Sequence, residues 1–196
     1  MENINSKISY IKATDSPISS DVVFIKTDDT TWIFDVGSVN EPIEQIQKIE
    51  GKKNIVLSHF HPDHVSNIFK VSCDNLYVGN NTAKYITHGT VINEPTTIGA
   101  VEILPIVNCH AKGSLILKFE DYAFLGDALY ASFKMKKKCY NVQLVQKEIE
   151  FLNKLDVKYI CLSHDRSFVR EKQTAISVLE KIYAQRQGNN PLVFVN

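Results

Sequence analysis

His59-Phe60-His61-Pro62-Asp63-His64 sets four potential metal ligands within six residues. Neutral imidazole and carboxylate are the ligands that suit zinc, manganese and iron. In an extended segment, residues two apart point the same way, so His59 and His61 can grip one ion together. Pro62 is preorganised for the first turn of a helix. It turns the chain, puts Asp63 and His64 on that turn and redirects them to a neighbouring position. One short loop can thereby serve two ions. Imidazoles and carboxylates crowded this closely need a cation or strong pairing.

Working outward, apolar runs end repeatedly in a potential ligand. Ile55-Val56-Leu57-Ser58 leads to His59, Ile103 through Cys109 to His110, Tyr122 through Gly126 to Asp127, and Tyr159 through Ser163 to His164. Polar residues gathered at one edge of a rigid sheet make a site, because the scaffold positions the loops. Five of the six histidines occupy these slots. His88 lies outside them and reads as an ordinary satisfied histidine. Ile55-Val56-Leu57-Ser58-His59 also resembles Ile160-Cys161-Leu162-Ser163-His164, which suits two similar half-domains facing one another.

Strands are expected at Ile8–Ile11, Val22–Ile25, Thr31–Phe34, Asn54–Leu57, Leu76–Val78, Val101–Val107, Leu115–Phe119, Tyr122–Leu125 and Tyr159–Leu162, from their β-branched, aromatic or continuous apolar character. Thr27–Thr30 reads as a hairpin turn. Helical spacing is expected in four places. The first opens at Pro42, with Ile43, Ile46 and Ile49 on one face. The second begins at Pro62 and carries Val65, Ile68 and Phe69 inward. The others are Val142 to Leu155 and Glu171 to Gln187, and Asn80 to Thr87 is compatible with a fifth. Leu192–Val195 is either an edge strand or a contact surface. Strands with intervening helices fit a layered α/β protein of one domain, residues 1–196.

Composition bounds the function. Hydrophobic residues make up 44% and charged residues 22%, with 22 Lys+Arg balancing 22 Asp+Glu. A nucleic-acid protein usually carries a basic excess, so this balance disfavours that partner. Cys73, Cys109, Cys139 and Cys161 form no C-x-x-C pair and read as reduced thiols. There is no signal-peptide core and no run of membrane-span length, so the expected location is the cytoplasm, with no membrane partner. Lys134-Met135-Lys136-Lys137-Lys138 is the one strong charge run and reads as a solvated loop, with an anionic partner as the sharper alternative.

The central hexapeptide resembles the H-x-H-x-D-H motif of the metallo-β-lactamase fold superfamily. The resemblance runs from about Trp32 to His164. Ile33-Phe34-Asp35-Val36-Gly37 looks like the family's early strand ending in Asp-x-Gly. His110-Ala111-Lys112-Gly113-Ser114 looks like its His-x-x-Gly-Ser, Leu125-Gly126-Asp127 like its Gly-Asp, and Ser163-His164 falls where its last histidine belongs. The implied fold is a four-layer αββα sandwich with the site at one edge of the two sheets. The implied roles give His59, His61 and His110 to a first metal and Asp63, His64 and His164 to a second, with Asp127 bridging both. Asp35 would orient the motif loop by hydrogen bonding rather than ligate. Ala111-Lys112 stand where the family often has Thr-Pro.

The resemblance implies a dinuclear hydrolase, with zinc the first choice of cofactor and manganese or iron the alternatives. Two divalent ions about 3.5–4 Å apart share a water and lower its pKa from about 15.7 toward about 7. That supplies a bridging hydroxide for a small ester, thioester, lactone or phosphoester. Asp63 and Asp127 are the catalytic carboxylates, and Asp63 can pass a proton to the leaving group. Tyr130 is a further candidate, since a phenol can donate to a substrate carbonyl, although an aromatic packed under the site is the plainer reading. The competing readings are a mononuclear iron oxygenase of the same fold and a non-catalytic metal-binding module.

Overall fold

Side chains along the strands sort alternately to two faces, as a period of two requires. Val23, Ile25, Trp32, Phe34 and Val56 point into one apolar cluster; their neighbours Val22, Phe24, Ile33, Ile55 and Leu57 point into another. The same alternation runs through a second set of strands. Leu115, Leu117, Phe119 and Phe124 join the first cluster, whereas Ile116, Ala123 and Leu125 face a third.

The computed structural model describes residues 1–195. A seven-stranded sheet runs, in spatial order, Glu2–Asn3, Ile8–Ile11, Val22–Lys26, Thr30–Phe34, Lys52–Val56, Asn75–Val78 and Thr90–Val91. A six-stranded sheet runs Thr96–Ile98, Val101–Ile106, Ser114–Phe119, Tyr122–Phe124, Tyr159–Cys161 and Val169–Glu171. Their facing sides bury the shared cluster. Helix α1 (Asn40–Gln47), the short α2 (Pro62–Val65) and the 3₁₀ turn after it cover the outside of the first sheet, through Ile46, Val65 and Ile68. Helices α3 (Val142–Lys154) and α4 (Lys172–Ala184) cover the outside of the second, through Val145, Leu152, Ala175, Ile176 and Leu179. The layers are therefore αββα, as the resemblance implies.

The two sheets echo one another where the repeated peptide lies. Thr30–Phe34 pairs in parallel with Lys52–Val56 in the first sheet, and Tyr122–Phe124 pairs in parallel with Tyr159–Cys161 in the second. The strands that precede Ser58-His59 and Ser163-His164 are thus equivalent members of facing sheets.

Several expectations are corrected. The helix from Pro62 gives way after four residues to a 3₁₀ turn, Ser66–Lys70, which carries Phe69 outward to 70% exposure. Between Asn80 and Thr87 only Thr82–Lys84 form a turn of 3₁₀ helix. The lysine run is a β-hairpin rather than a loop: Ser132–Lys134 pairs with Lys137–Asn141, and its exposed tip is Met135-Lys136. The tail Leu192–Val195 is the edge strand of that small sheet, pairing with Lys137–Asn141. The Thr27–Thr30 hairpin and the strands around it stand as expected. Among the described residues, no helix is long and apolar enough to cross a membrane.

Candidate metal centre

Four strands of the two sheets end at one edge, and each delivers donors there. Lys52–Val56 leads into the Ser58–His64 loop. His61 caps α2 with extended backbone (φ −66°, ψ 142°), Pro62 starts the helix, and Asp63 and His64 lie on its first turn. His110 follows Val101–Ile106, Asp127 follows Tyr122–Phe124, and His164 follows Tyr159–Cys161.

The donors converge as two groups. His59, His61 and His110 form one, and Asp63, His64, Asp127 and His164 the other, the ligand atoms of each lying within 4.8 Å of one another. In the first group, His61 Nδ1 lies 2.9 Å from His59 Nε2 and 3.1 Å from His110 Nε2. In the second, His164 Nε2 is 3.0 Å from Asp63 Oδ2, and His64 Nε2 is 3.5 Å from both Asp63 Oδ2 and Asp127 Oδ1. Asp127 reaches across, with Oδ2 3.4 Å from His110 Nε2 in the first group. All seven ligand candidates read from the sequence are brought together. His88 is exposed, its ring 5.7 Å from that of Phe69, and belongs to neither group.

These donors fit divalent ions. His64 Nε2 and Asp127 Oδ1 are buried without any hydrogen-bond partner. Buried polar atoms left so are costly unless something binds them. His61 Nδ1 likewise lies within hydrogen-bonding distance of two other imidazole nitrogens, a cluster richer in lone pairs than in protons to fill them. The electrostatics of the first group agree. Burial, reinforced by neighbouring histidines, holds His59 far below the ordinary imidazole range, and burial also lowers His61 and His110. All three are therefore neutral, the form that ligates. Burial disfavours a charge on His64, but Asp35 and Asp127 outweigh it and push the group up to about 10. Burial likewise works against the Asp63 carboxylate, yet His164 and His64 bring it down to about 2.

The next shell fixes the ring orientations. Asp35 Oδ1 accepts from Ser58 N at 2.7 Å, and its Oδ2 lies 2.7 Å from both Ser58 Oγ and His64 Nδ1. Ser58 Oγ is also 2.9 Å from His59 Nδ1. With Nδ1 of His59 and His64 engaged behind the loop, their Nε2 atoms face the site. Asp35 holds a left-handed backbone (φ 61°), as does His164 (φ 61°). Residues so strained persist where their surroundings over-determine them.

Gly126 shows why the Gly-Asp pair is needed. Its φ is +54°, and a Cβ there would meet Ser58 Oγ at 2.7 Å and Ser58 Cβ at 2.8 Å. Gly126→Ala is expected to cost about 1–3 kcal/mol and to shift Ser58 off Asp35, read as a lower Tm together with reduced metal uptake. An unchanged Tm and uptake would contradict this packing.

Tyr130 is half-buried, 6.5 Å from the His110 ring between centroids, and its hydroxyl donates to the Ser163 carbonyl at 2.5 Å. Its proton is thus engaged by the loop that carries His164. Sequence reasoning missed Asp21 and Glu148. Asp21 Oδ2 accepts from His164 N at 2.9 Å and from Ser163 Oγ at 3.2 Å. Glu148 Oε1 accepts from Cys109 N at 2.8 Å. Burial raises both carboxyls, Glu148 to about 8. The repeated Ser-His was a signal for the first, since each serine turns out to sit against an acid.

The model of the metallo-beta-lactamase superfamily matches residues 15–72, the stretch that contains Asp21, Asp35 and the whole histidine loop. Solved structures extend the likeness across the chain. The DIM-1 metallo-beta-lactamase matches at 12% identity and a TM-score of 0.69, over 92% of this chain and 96% of its own. This is a metallo-β-lactamase-fold protein. A second structure of the fold, ETHE1 from Myxococcus xanthus, matches at 13% identity and TM-score 0.67, over 91% and 86% of the two chains. A third, a peroxy diiron species of chemotaxis sensor ODP, matches at 15% and 0.66, over 94% of each chain. A comparison with curated proteins returns no match. At such identities the solved structures establish the fold, and the reaction has to be argued from the site.

Proposed function

We propose that this metallo-β-lactamase-fold chain, taken as one domain over residues 1–196, is a dinuclear metal-dependent hydrolase of small esters, thioesters, lactones or phosphoesters. The observation that carries the reading is the pair of complete donor groups joined by Asp127. His59, His61 and His110 would hold one ion and Asp63, His64 and His164 the other, with Asp127 shared. Zinc is the first choice, because imidazoles dominate the set. When bound, such ions activate water and polarise the substrate's carbonyl or phosphoryl oxygen.

The chain's own residues supply the rest. Asp35 keeps the His64 proton on Nδ1. Asp63, ionised at neutral pH, is placed to accept a proton and pass it to the leaving group. Tyr130 is assigned a positioning role through Ser163. Tyr130→Phe is then expected to lower kcat by no more than about tenfold, the worth of one hydrogen bond. A loss as large as that from Asp127→Ala would mean that the phenol acts on substrate directly. A cytoplasmic location is proposed with this, supported by four free cysteines among the described residues.

A second reading is favoured by one comparison, the diiron neighbour. In that reading the same donors hold iron and serve dioxygen chemistry. Counting metals per purified chain separates the two. Two zinc or manganese ions support the hydrolase and direct an ester, thioester and lactone screen. Iron redirects the search to dioxygen. A chain that carries no metal and takes up none when it is added would refute both.

A further inference from the structure

Three carboxylates stand behind the ligand loops, and each accepts a backbone N–H at the root of a ligand. Asp35 takes that of Ser58, one residue before His59. Asp21 takes that of His164 itself. Glu148 takes that of Cys109, one residue before His110. All three acids are buried, Glu148 completely. Only Asp35 has a counterpart in the resemblance drawn from the sequence.

We propose that Glu148 and Asp21 are positioning residues of the metal centre, Glu148 setting the His110 loop and Asp21 setting His164, as Asp35 sets His59 and His64. The inference rests on the reading that these donors hold ions.

Glu148 is hard to explain as a stabiliser of the fold. It lies on α3 in line with Val145 and Leu152, the other buried residues of that helix. A buried carboxylate there is unfavourable unless fully paired, and an apolar residue of similar size often serves stability better. Only Oε1 of Glu148 is used, since Oε2 has no partner. The loop it touches needs an anchor. Among the described residues, no backbone–backbone hydrogen bond outside the helices and strands involves residues 107–113. The loop is held instead by side chains. Asn108 Oδ1 accepts from Ala111 N at 2.8 Å, Ser114 Oγ donates to the Ala111 carbonyl at 3.0 Å, and Glu148 alone of the three ties it to a helix. Asp21 performs the matching task across the site. Besides His164 N it accepts from Ala13 N at 3.1 Å, so it links the ligand to the first sheet while the ligand's own strand belongs to the second.

Removing groups that orient metal ligands typically costs about 10–100-fold in metal affinity. The test is a titration of the metal-stripped full chain with cobalt(II), following the visible absorption of each ion bound, alongside Tm. Glu148→Leu is expected to weaken one binding step at least about tenfold, the step that His110→Ala abolishes, with Tm unchanged or raised. Asp21→Ala is expected to weaken the step that His164→Ala abolishes. Glu148→Gln keeps an acceptor for Cys109 N and is expected to retain wild-type affinity. Affinity that falls without a fall in Tm cannot come from a merely structural role. Cobalt binding by Glu148→Leu as tight as wild type at both steps overturns this inference alone. No uptake by the wild type overturns the metal reading and this inference with it.

Discussion

Asp127→Ala is expected to abolish hydrolysis and leave the chain folded. Among the described residues, Asp127 is the one carboxylate that faces both donor groups, 3.5 Å from His64 Nε2 and 3.4 Å from His110 Nε2. Alanine at this position leaves His59, His61 and His110 intact and strips the second group of an anion. With the shared carboxylate gone, two cations would repel without an offset between them. Turnover on an ester or thioester substrate should fall by on the order of 10²–10³ or more, the scale seen when a preorganised electrostatic partner is removed. Stability of the metal-free chain should change little, because Asp127 Oδ1 is buried with no hydrogen-bond partner and its removal relieves a cost. Kinetics and thermal melting on the same preparation check both halves. Full activity in the folded variant would remove Asp127 from its bridging place.

Asp35→Ala is expected to do the opposite, with its main damage in the scaffold. Asp35 is 1% exposed and its two oxygens serve Ser58 N, Ser58 Oγ and His64 Nδ1. Breaking a buried pair while leaving its partner in place costs about 3–5 kcal/mol, which for a chain of this size lowers Tm by about 6–20 °C. Alanine must also adopt the left-handed backbone that aspartate tolerates at φ 61°. His64 would lose the acceptor that fixes its ring, so metal content should fall with stability. Asp35→Asn, which tolerates the backbone and keeps one acceptor, should lose less of both. Calorimetry with metal analysis decides it; an alanine variant that melts like wild type and holds its metal would show that Asp35 does not organise the loop.

The two expected results differ in how openly the sequence announces them. The histidine loop was legible because its ligands are adjacent in the chain and its Pro62 marks the turn. His110, Asp127 and His164 were legible because each ends an apolar run. Asp35 came through the resemblance. Asp21 had only the repeated Ser-His as a signal, since its partner Ser163 is 142 residues away and nothing adjacent to Asp21 in the chain points to it. Glu148 was hidden by its type, because an acid in an amphipathic helix reads as the solvated face. The lysine hairpin escaped for a backbone reason. Its tip, Met135-Lys136, has φ values of 50° and 61°, which usually call for glycine or asparagine. The helix expected after Asn80 failed because a few helix-compatible residues do not outweigh the cost of nucleation.

The division of the donors between the sheets has a consequence for assembly. His59, His61, Asp63 and His64 come from the first sheet's loops, and His110, Asp127 and His164 from the second's. Neither ion's ligand set is complete in either half of the chain. Any ion these donors hold is a rivet through the layer interface, formed only once His110 (for the first group) or Asp127 and His164 (for the second) have been made and the halves have docked. Its binding free energy adds to the docking of the sheets by RT ln(1 + [M]/Kd). Metal supply would then govern how long a newly made chain stays closed, and a chelator would act on this protein first as a denaturant of its seam.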